Sequence, residues 1–318
     1  MSGRVAVFGE ALVDLIQRET GSRYLEMVLG GSPYNVAAGL ARFGVPVDFV
    51  GAVAADGLGR ELSGFLEGLG VNISHAIRRP GSSTFLSMAV LEDGRPSFSF
   101  YGDTRDILIV DPSEIPADVI EAASVVHCGS TVLNTEASRA TTRWALARAP
   151  GLTTLDPNSR PVLIDDRDGY RRDLEEIVPV CDVVKMSDQD VAWVYPGVSP
   201  VDAARRLHDL GATLAVITGG DQPTVARASA GVIQVPATPA KVVDTTGAGD
   251  AHMAALVARL SCGPLGDDLD DLASTLELAA AFAAMTCEST GGAESTPTLE
   301  RLGERFPNAL SVDWLPIV

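Results

Sequence analysis

A glycine-rich turn that ends in a carboxylate is the most chemically informative stretch of this sequence. It spans residues 245–250, with the sequence Thr-Thr-Gly-Ala-Gly-Asp, and is called the anion turn below. The apolar run at 241–243 before it predicts a strand, and residues 251–260 after it have helical spacing and strong helix formers. Glycines let the backbone approach a ligand, and the first N–H groups of a helix lack internal partners. The turn therefore predicts an anion site, for which phosphate is the usual ligand.

The acid of this turn, Asp250, has two interpretations if the turn is considered alone. A carboxylate at the start of a helix can simply cap the free N–H groups. Alternatively, it can lie beside the bound anion and accept a proton from a nucleophile. The turn itself does not decide between these two roles.

Two motifs of the chain resemble those of one enzyme family. Residues 244–250 resemble the C-terminal signature of the ribokinase-like (PfkB) family of carbohydrate kinases, and residues 30–37 with 40–44 resemble its N-terminal signature. Both motifs are specific and occur in the family's order, so a chance match of both is much rarer than a chance match of one. Within the family, residues 9–14 and 156–158 are most similar to those of bacterial fructokinases.

The resemblance implies an ATP-dependent sugar kinase that transfers the γ-phosphoryl group to a sugar hydroxyl, with fructose as the first candidate. Such a transfer needs a base, neutralisation of charge and alignment. Asp250 would be the general base for the hydroxyl. The N–H groups of Gly247, Ala248 and Gly249 would form the anion hole for the transferring group.

The sugar site that the resemblance implies draws on two regions near the N-terminus. Gly30 and Gly31 would let a sugar approach the backbone. Asn35 offers both a donor and an acceptor to hydroxyls, and Asp14 would accept hydrogen bonds from them.

Two arginines are further candidates for contacting the substrate. Arg160 resembles a family arginine directed toward substrate or phosphate, although an ordinary surface arginine explains it equally well. Arg105 follows the Phe100-Tyr101 pair at a longer spacing than fructokinases usually show. If Arg105 does not reach the sugar, fructose is a weaker candidate, and 2-keto-3-deoxygluconate, ribose and a nucleoside are the alternatives.

The nucleotide side of the site is implied by two strand ends. Ser187 and Asp190 stand where many family members have an Asn-x-x-Glu motif tied to Mg²⁺ and phosphate. Residues 216–220 resemble the family's nucleotide strand end, although Pro223 replaces its last glycine and removes an N–H group. The predicted ATP-binding residues are Lys185, Ser187, Thr218, Gly220 and Gly249.

Two cations are implied as cofactors beside the co-substrate ATP. Mg²⁺ would be ligated by Asp190 through water, because aspartate is one methylene shorter than the family's glutamate. K⁺ is an optional second cation, held largely by backbone carbonyl groups. Its candidate residues are Asp244, Thr246, Ser289, Gly291 and Ser295.

The elements that position these residues alternate between strands and helices from residue 124 onward. Such alternation predicts an α/β fold with a doubly wound, mostly parallel sheet flanked by helices, in a single domain over 1–318. Ligands of such sheets lie beyond the carboxyl ends of the strands, where most of the candidates fall. The predicted strands are 124–128, 153–156, 182–186, 214–218 and 242–245, with helices at 135–148, 166–178, 188–194 and 201–210.

Two further segments, about 11–29 and 84–107, predict a small β-sheet from their alternation of apolar and polar residues. In the family that the chain resembles, such a sheet is a lid over the sugar. A lid would exclude water from the reacting groups and suppress wasteful hydrolysis of ATP. A homodimer formed through this lid is one option for assembly.

Bulk composition excludes several classes of partner. The formal net charge is −18, so neither nucleic acid nor an anionic membrane is expected as a partner, because both require a basic surface. The four cysteines show no paired spacing, which favours buried reduced thiols. With no signal-peptide pattern and no apolar run of transmembrane length, a cytoplasmic location is expected.

Other functions fit the sequence less well. A non-catalytic sugar or nucleotide sensor would need neither Asp250 nor the complete anion turn. A Rossmann dehydrogenase would carry Gly-x-Gly-x-x-Gly after its first strand, which residues 9–11 do not match. A P-loop kinase would carry Gly-x-x-x-x-Gly-Lys-Ser/Thr, which the sequence lacks. His252, beside Asp250, is expected to pack rather than to act in catalysis.

Overall fold

The computed structural model describes residues 3–92, 95–102, 107–265 and 268–310. The candidate substrate residue Arg105 therefore lies outside the described residues. Across the described ranges, no helix is both long enough and apolar enough to cross a lipid bilayer.

The strands and helices are numbered here in chain order. The strands are β1 (Val5–Phe8), β2 (Leu12–Ile16), β3 (Glu26–Gly30), β4 (Val47–Val50), β5 (Ala52–Ala54), β6 (Ile77–Arg79), β7 (Leu86–Glu92), β8 (Arg95–Tyr101), β9 (Val125–Gly129), β10 (Leu152–Asp156), β11 (Val183–Ser187), β12 (Leu214–Gly219), β13 (Gln222–Ala228) and β14 (Gly231–Val235). The helices are α1 (Ser32–Arg42), α2 (Gly57–Gly68), α3 (Ala117–Glu121), α4 (Glu136–Arg148), α5 (Arg167–Ile177), α6 (Asp188–Val194), α7 (Pro200–Asp209), α8 (Ala248–Leu260), α9 (Leu269–Thr286) and α10 (Leu299–Arg305).

The largest sheet in the described ranges has eight strands in the order β14-β13-β12-β11-β10-β9-β1-β4. Six of these strands run parallel to one another, namely β4, β1, β9, β10, β11 and β12. The other two, β13 and β14, add an antiparallel edge that the sequence analysis did not predict. Successive residues Val125 and Val126 of β9 belong to separate apolar clusters on opposite faces of this sheet. One cluster contains α1, α8 and α9, and the other contains α4 to α7. The prediction of a mostly parallel sheet flanked by helices is therefore confirmed.

One predicted strand, at 242–245, is wrong. This segment is a loop in which the N–H groups of Val243 and Asp244 donate to the carbonyl oxygen of Cys287, just after α9. The side chains of Val242 and Val243 are 62% and 55% exposed. The β-branched residues suggested a strand, but two of the N–H groups that a strand partner would need are bound to the end of a helix.

Buried thiols were expected from the cysteine spacing, and the structure agrees for most of them. Cys128, Cys181 and Cys287 are buried free thiols, whereas Cys262 is exposed. Burial raises the pKa of the Cys128 thiol well above its ordinary value, so this group stays protonated at neutral pH.

The second sheet, called the small sheet here, has the strand order β3-β2-β7-β8. Strands β2 and β3 form an antiparallel hairpin, and β2 pairs in parallel with β7, which joins the two segments predicted at 11–29 and 84–107. Phe85 stacks on Phe100 with ring centroids 5.6 Å apart and supports the second hairpin. Residues 93–94 and 103–106 of these segments lie outside the described ranges. The existence of this sheet agrees with the prediction, and its movement as a lid stays a prediction.

Candidate active site

Asp250 lies in the first turn of α8 and is 6% exposed. Its carboxylate accepts hydrogen bonds from Ser32 Oγ at 2.6 Å, from Asn35 Nδ2 at 2.7 Å and, more weakly, from Asn158 Nδ2 at 3.4 Å. The cap of α8 is Gly247, which carries no side chain to bind the free N–H groups. Asp250 is therefore not the helix cap, and neutral donors from two other segments hold its carboxylate.

Close packing of α1 against α8 brings these donors to Asp250. A Cβ atom on Gly39 of α1 would lie 2.6 Å from the Cβ atom of Ala254 in α8, so a larger residue would push the helices apart. Gly31, which precedes α1, has a φ of 106°, and a Cβ atom there would lie 2.7 Å from the carbonyl oxygen of Glu10. The glycines of the N-terminal motif thus set the position of α1, and Ser32 and Asn35 face the acid.

The anion turn contains a glycine, Gly247, whose backbone lies in the left-handed region. Gly247 has a φ of 80°, and a Cβ atom there would lie 3.0 Å from Gly292 Cα. The N–H group of Ala248 donates to the carbonyl oxygen of Thr245 at 3.2 Å and closes the turn. Helix geometry leaves the next N–H groups, those of Gly249 and Asp250, without intrahelical partners. The N–H group of Ala248, predicted to belong to the anion hole, thus has a partner within the turn, whereas helix geometry leaves those of Gly247, Gly249 and Asp250 available to an anion.

Lys185 is buried against the anion turn, next to Gly249. Its Nζ atom pairs with Asp156 Oδ2 at 2.6 Å, and the two side chains are 3% and 1% exposed. A Cβ atom on Gly249 would lie 3.3 Å from Nζ. Burial raises the pKa of Asp156, and Lys185 opposes that increase. Lys185, predicted to bind ATP, therefore places a buried positive charge against the turn.

Asp14 and Arg160 belong to the same part of the molecule. Asp14 lies on β2 opposite Val28, and a Cβ atom on Gly30 would lie 2.5 Å from Asp14 Oδ2, so a side chain there would displace the carboxylate. Burial raises the pKa of Asp14 to about 6, against the effects of a hydrogen bond from Ser87 and the charge of Arg160. Arg160 is half-buried, and its guanidinium donates to Asn158 Oδ1 at 2.5 Å. Its hydrogen bonds go to the neighbouring residues Asn158 and Ser159.

Ser187 and Asp190 form the capping box of α6. Asp190 Oδ2 accepts from Ser187 N at 2.9 Å and Ser187 Oγ at 2.7 Å, and Oδ1 accepts from Ser159 N at 2.7 Å. Asp190 is 6% exposed. Both oxygens of Asp190 therefore accept hydrogen bonds within the chain, which cap α6 and join it to Ser159.

The predicted nucleotide strand end lies at the turn between β12 and β13. Thr218 Oγ1 donates to the carbonyl oxygen of Met186 at 3.4 Å, and Gly220 has a φ of 65°. The pairing register of the two strands shifts between Ile217 and Gly219, next to Pro223. A proline has no N–H group to continue the ladder, so the sequence departure at Pro223 coincides with a local irregularity.

The K⁺ candidates surround Asp244, except for Ser289 on the turn that follows α9. Asp244 Oδ1 accepts from Thr246 N at 2.9 Å and Thr246 Oγ1 at 2.7 Å, while Oδ2 accepts from Gly291 N at 3.2 Å. The hydroxyl of Ser295 donates to the carbonyl oxygens of Gly291 and Gly292. Both carboxylate oxygens of Asp244 and the carbonyl oxygens of Gly291 and Gly292 therefore already accept hydrogen bonds within the chain.

Sequence reasoning missed three features of this site. Ser32 was not singled out, although it stands beside Gly31 in the N-terminal motif. Glu10 is buried and accepts from Thr131 Oγ1 at 2.7 Å, and burial raises its pKa. Ser130 and Asn158 have φ values of 60° and 37°, the strained region for residues with a Cβ atom, and both follow strands of the main sheet. The motifs carried a signal for the first two, but none for the backbone of Ser130.

His252 lies on the buried side of α8 with 3% of its surface exposed. Burial lowers the pKa of its imidazole to about 3, and the charge of Lys185 acts in the same direction. The ring is therefore neutral at physiological pH, as expected for a histidine that packs.

The sequence and the fold of this chain both match known carbohydrate kinases. The model of the pfkB family carbohydrate kinases matches residues 2–299. A fructokinase of Klebsiella pneumoniae is 32% identical over 302 residues, which cover 93% of this chain and 97% of that protein. An uncharacterized sugar kinase from Pyrococcus horikoshii in complex with ATP is 30% identical, with a TM-score of 0.81 over 96% of this chain and 98% of that one.

A further solved structure is a fructokinase from Vibrio cholerae in a fructose, ADP and calcium ion bound form. It is 25% identical, with a TM-score of 0.85 over 99% of each chain. These matches confirm the resemblance carried by the two glycine-rich motifs. Because the family model spans nearly the whole sequence, the chain belongs to the pfkB family of carbohydrate kinases.

Proposed function

We propose that this protein is an ATP-dependent sugar kinase that transfers the γ-phosphoryl group of ATP to a hydroxyl of fructose. One observation carries the proposal: the carboxylate of Asp250 is buried beside the anion turn and held by neutral donors at 2.6 and 2.7 Å. Hydrogen bonds from Ser32 and Asn35 fix the orientation of this carboxylate beside the turn. Asp250 can therefore accept the proton of the sugar hydroxyl as that oxygen attacks phosphorus.

The remaining groups orient and neutralise the reactants. The N–H groups of Gly249 and Asp250, at the positive end of the α8 dipole, stabilise the negative charge of the transferring phosphoryl group. Lys185 adds a buried positive charge beneath Gly249. Asp190 would hold a divalent cation through water, and that cation would supply further neutralisation of the ATP phosphates.

Asp14, Asn35 and Arg160 are proposed to bind the sugar. Asp14 and Asn35 come from the small sheet and from α1, and Arg160 follows β10, so the sugar would lie between the two sheets. The small sheet would then act as a lid that excludes water from the reacting groups. Two of the named relatives are fructokinases, which favours fructose. The substrates that compete with fructose are 2-keto-3-deoxygluconate, ribose and nucleosides.

A homodimer through the small sheet is proposed from its exposed apolar residues. Met27 on β3 is 42% exposed, and Tyr24 and Leu25 in the preceding loop are 87% and 37% exposed. Such residues gain stability when a partner covers them. Sedimentation analysis at several concentrations tests this, with Tyr24→Ser and Met27→Ser together expected to shift the mass toward a monomer.

The proposed activity is tested by measuring ADP formation against a panel of sugars, sugar acids and nucleosides. The proposal expects fructose to give the highest kcat/KM of the panel. A higher kcat/KM for 2-keto-3-deoxygluconate or a nucleoside would retain the kinase and replace its substrate. ADP formation that no panel member stimulates would refute the kinase itself.

A further inference from the structure

One arginine outside the proposed catalytic set joins the small sheet to the anion turn. Arg18 follows β2, and its NH1 atom lies 3.0 Å from Asp244 Oδ2. Its Nε atom donates to Glu26 Oε2 at 2.5 Å, so a carboxylate of the same hairpin fixes the guanidinium from the other side. The Asp244 side chain is only 8% exposed. The contact is therefore a partly buried ion pair between two segments that are far apart in the sequence.

Asp244 binds the two segments that flank the anion turn. Through Thr246 it holds the start of the turn, and through the N–H group of Gly291 it holds the loop that touches the turn at Gly247. Burial opposes ionisation of Asp244, but hydrogen bonds from Thr246, Gly291 and Arg18 hold its pKa below the ordinary value. Among these donors Arg18 carries a positive charge, so its guanidinium also offsets the negative charge of the partly buried carboxylate.

A K⁺ ion does not fit beside this carboxylate as the chain is arranged. Oδ2 already pairs with Arg18, and Oδ1 accepts two hydrogen bonds from Thr246. The carbonyl oxygens of Gly291 and Gly292 accept from Ser295. A second cation would also be repelled by a guanidinium only a few ångströms away.

We propose that Arg18 is a positioning residue that takes the place of a bound monovalent cation at Asp244 and holds the anion turn in its working geometry. The proposal rests on the assignment of this turn as the phosphoryl site. Because Arg18 belongs to the small sheet, the geometry of the turn depends on that sheet being in place. A second contact joins the small sheet to the loop beside the turn, because the N–H group of Leu29 in β3 donates to Glu294 Oε2 at 3.4 Å.

The test compares Arg18→Gln and Arg18→Lys with the matched control Arg23→Gln. Arg23 is exposed and lies in the same hairpin, so its replacement makes the same change in net charge. The enzyme is assayed in buffers whose monovalent cation is either K⁺ or the large tetramethylammonium ion. Hydrogen exchange of residues 244–250 is measured on each variant in parallel.

We expect the wild-type protein and Arg23→Gln to have the same kcat in both buffers. In tetramethylammonium, Arg18→Gln should lose about 10- to 100-fold in kcat with little change in the KM for ATP, because a small displacement of the turn is enough for such a loss. Residues 244–250 should exchange faster in Arg18→Gln than in Arg23→Gln, and Arg18→Lys should recover most of the lost kcat because it retains the charge.

The exchange measurement separates this proposal from the proposed function. If the wild-type protein phosphorylates no sugar, the kinase assignment fails. Faster hydrogen exchange at 244–250 in Arg18→Gln would still support the role of Arg18 in ordering the turn. If Arg18→Gln matches Arg23→Gln in both exchange and kcat, the positioning role is overturned. A wild-type kcat that rises several-fold with K⁺ would overturn the claim that Arg18 takes the place of the cation.

Discussion

Replacing Lys185 by methionine should destabilise the protein strongly, because it leaves Asp156 buried without its partner. The two side chains are 3% and 1% exposed and their charged atoms lie 2.6 Å apart. Removing one member of such a pair typically costs about 3–5 kcal/mol of unfolding free energy. Asp156 can lower this cost by taking up a proton, since burial already raises its pKa, so we expect about 3 kcal/mol at pH 7 and less at pH 5.

Urea denaturation at the two pH values measures this loss, with two variants as controls. Arg205→Met breaks an exposed pair with Asp202, whose side chains are 57% and 60% exposed, and should cost at most about 1 kcal/mol. The double variant Lys185→Met/Asp156→Asn removes both charges and should recover part of the loss. A Lys185→Met variant no less stable than Arg205→Met would refute the reasoning, as would a double variant with no recovery.

Three other predictions concern the substrate and its cations. The pKa of Asp14 is about 6 in the folded protein, against an ordinary value of 3.8, so folding favours the protonated acid. The contribution of this group to the free energy of unfolding is therefore largest at low pH and is lost as the pH rises through 6. The KM for sugar should rise below pH 6, because the protonated carboxyl of Asp14 is a poorer hydrogen-bond acceptor for the sugar. Asp14→Asn should raise this KM at all pH values and abolish its pH dependence, and steady-state kinetics measures both. Removing divalent cations with EDTA should abolish turnover, and added Mg²⁺ should restore it; full activity in EDTA would contradict the proposed role of the metal. Sugar binding should slow hydrogen exchange in 11–29, 84–92 and 30–35, whereas slowing confined to 218–223 and 280–295 would mean that the sugar site is misplaced.

Local patterns were sufficient to predict most of the fold. The alternation of strands and helices after residue 124 identified β9 to β12 and α4 to α7, because each element carries its own periodicity. The prediction of a strand at 242–245 was wrong for a non-local reason, because the N–H groups of Val243 and Asp244 bind the carbonyl oxygen of Cys287, just after α9. A β-branched run does not reveal which distant acceptor its backbone will meet.

The candidate site was predictable where short motifs carry it. Asp250, Asn35 and Asp14 stand in such motifs, and the structure brings Asp250 and Asn35 within hydrogen-bonding distance. The ion pair of Arg18 with Asp244 joins residues with no shared motif or periodicity, so only the fold reveals it. The same holds for the buried position of Lys185, because the sequence shows a lysine on a strand but not which side of the turn it reaches.

The most direct test of the account is the turnover of Asp250→Asn. Asparagine has nearly the same shape and can still contact Ser32 and Asn35, but it cannot accept the proton of a sugar hydroxyl. The account predicts a kcat lower by about 10²–10⁴-fold, with the affinity for a non-hydrolysable ATP analogue, measured by calorimetry, within a few-fold of wild type. A variant with near wild-type kcat would contradict the assignment of Asp250 as the general base.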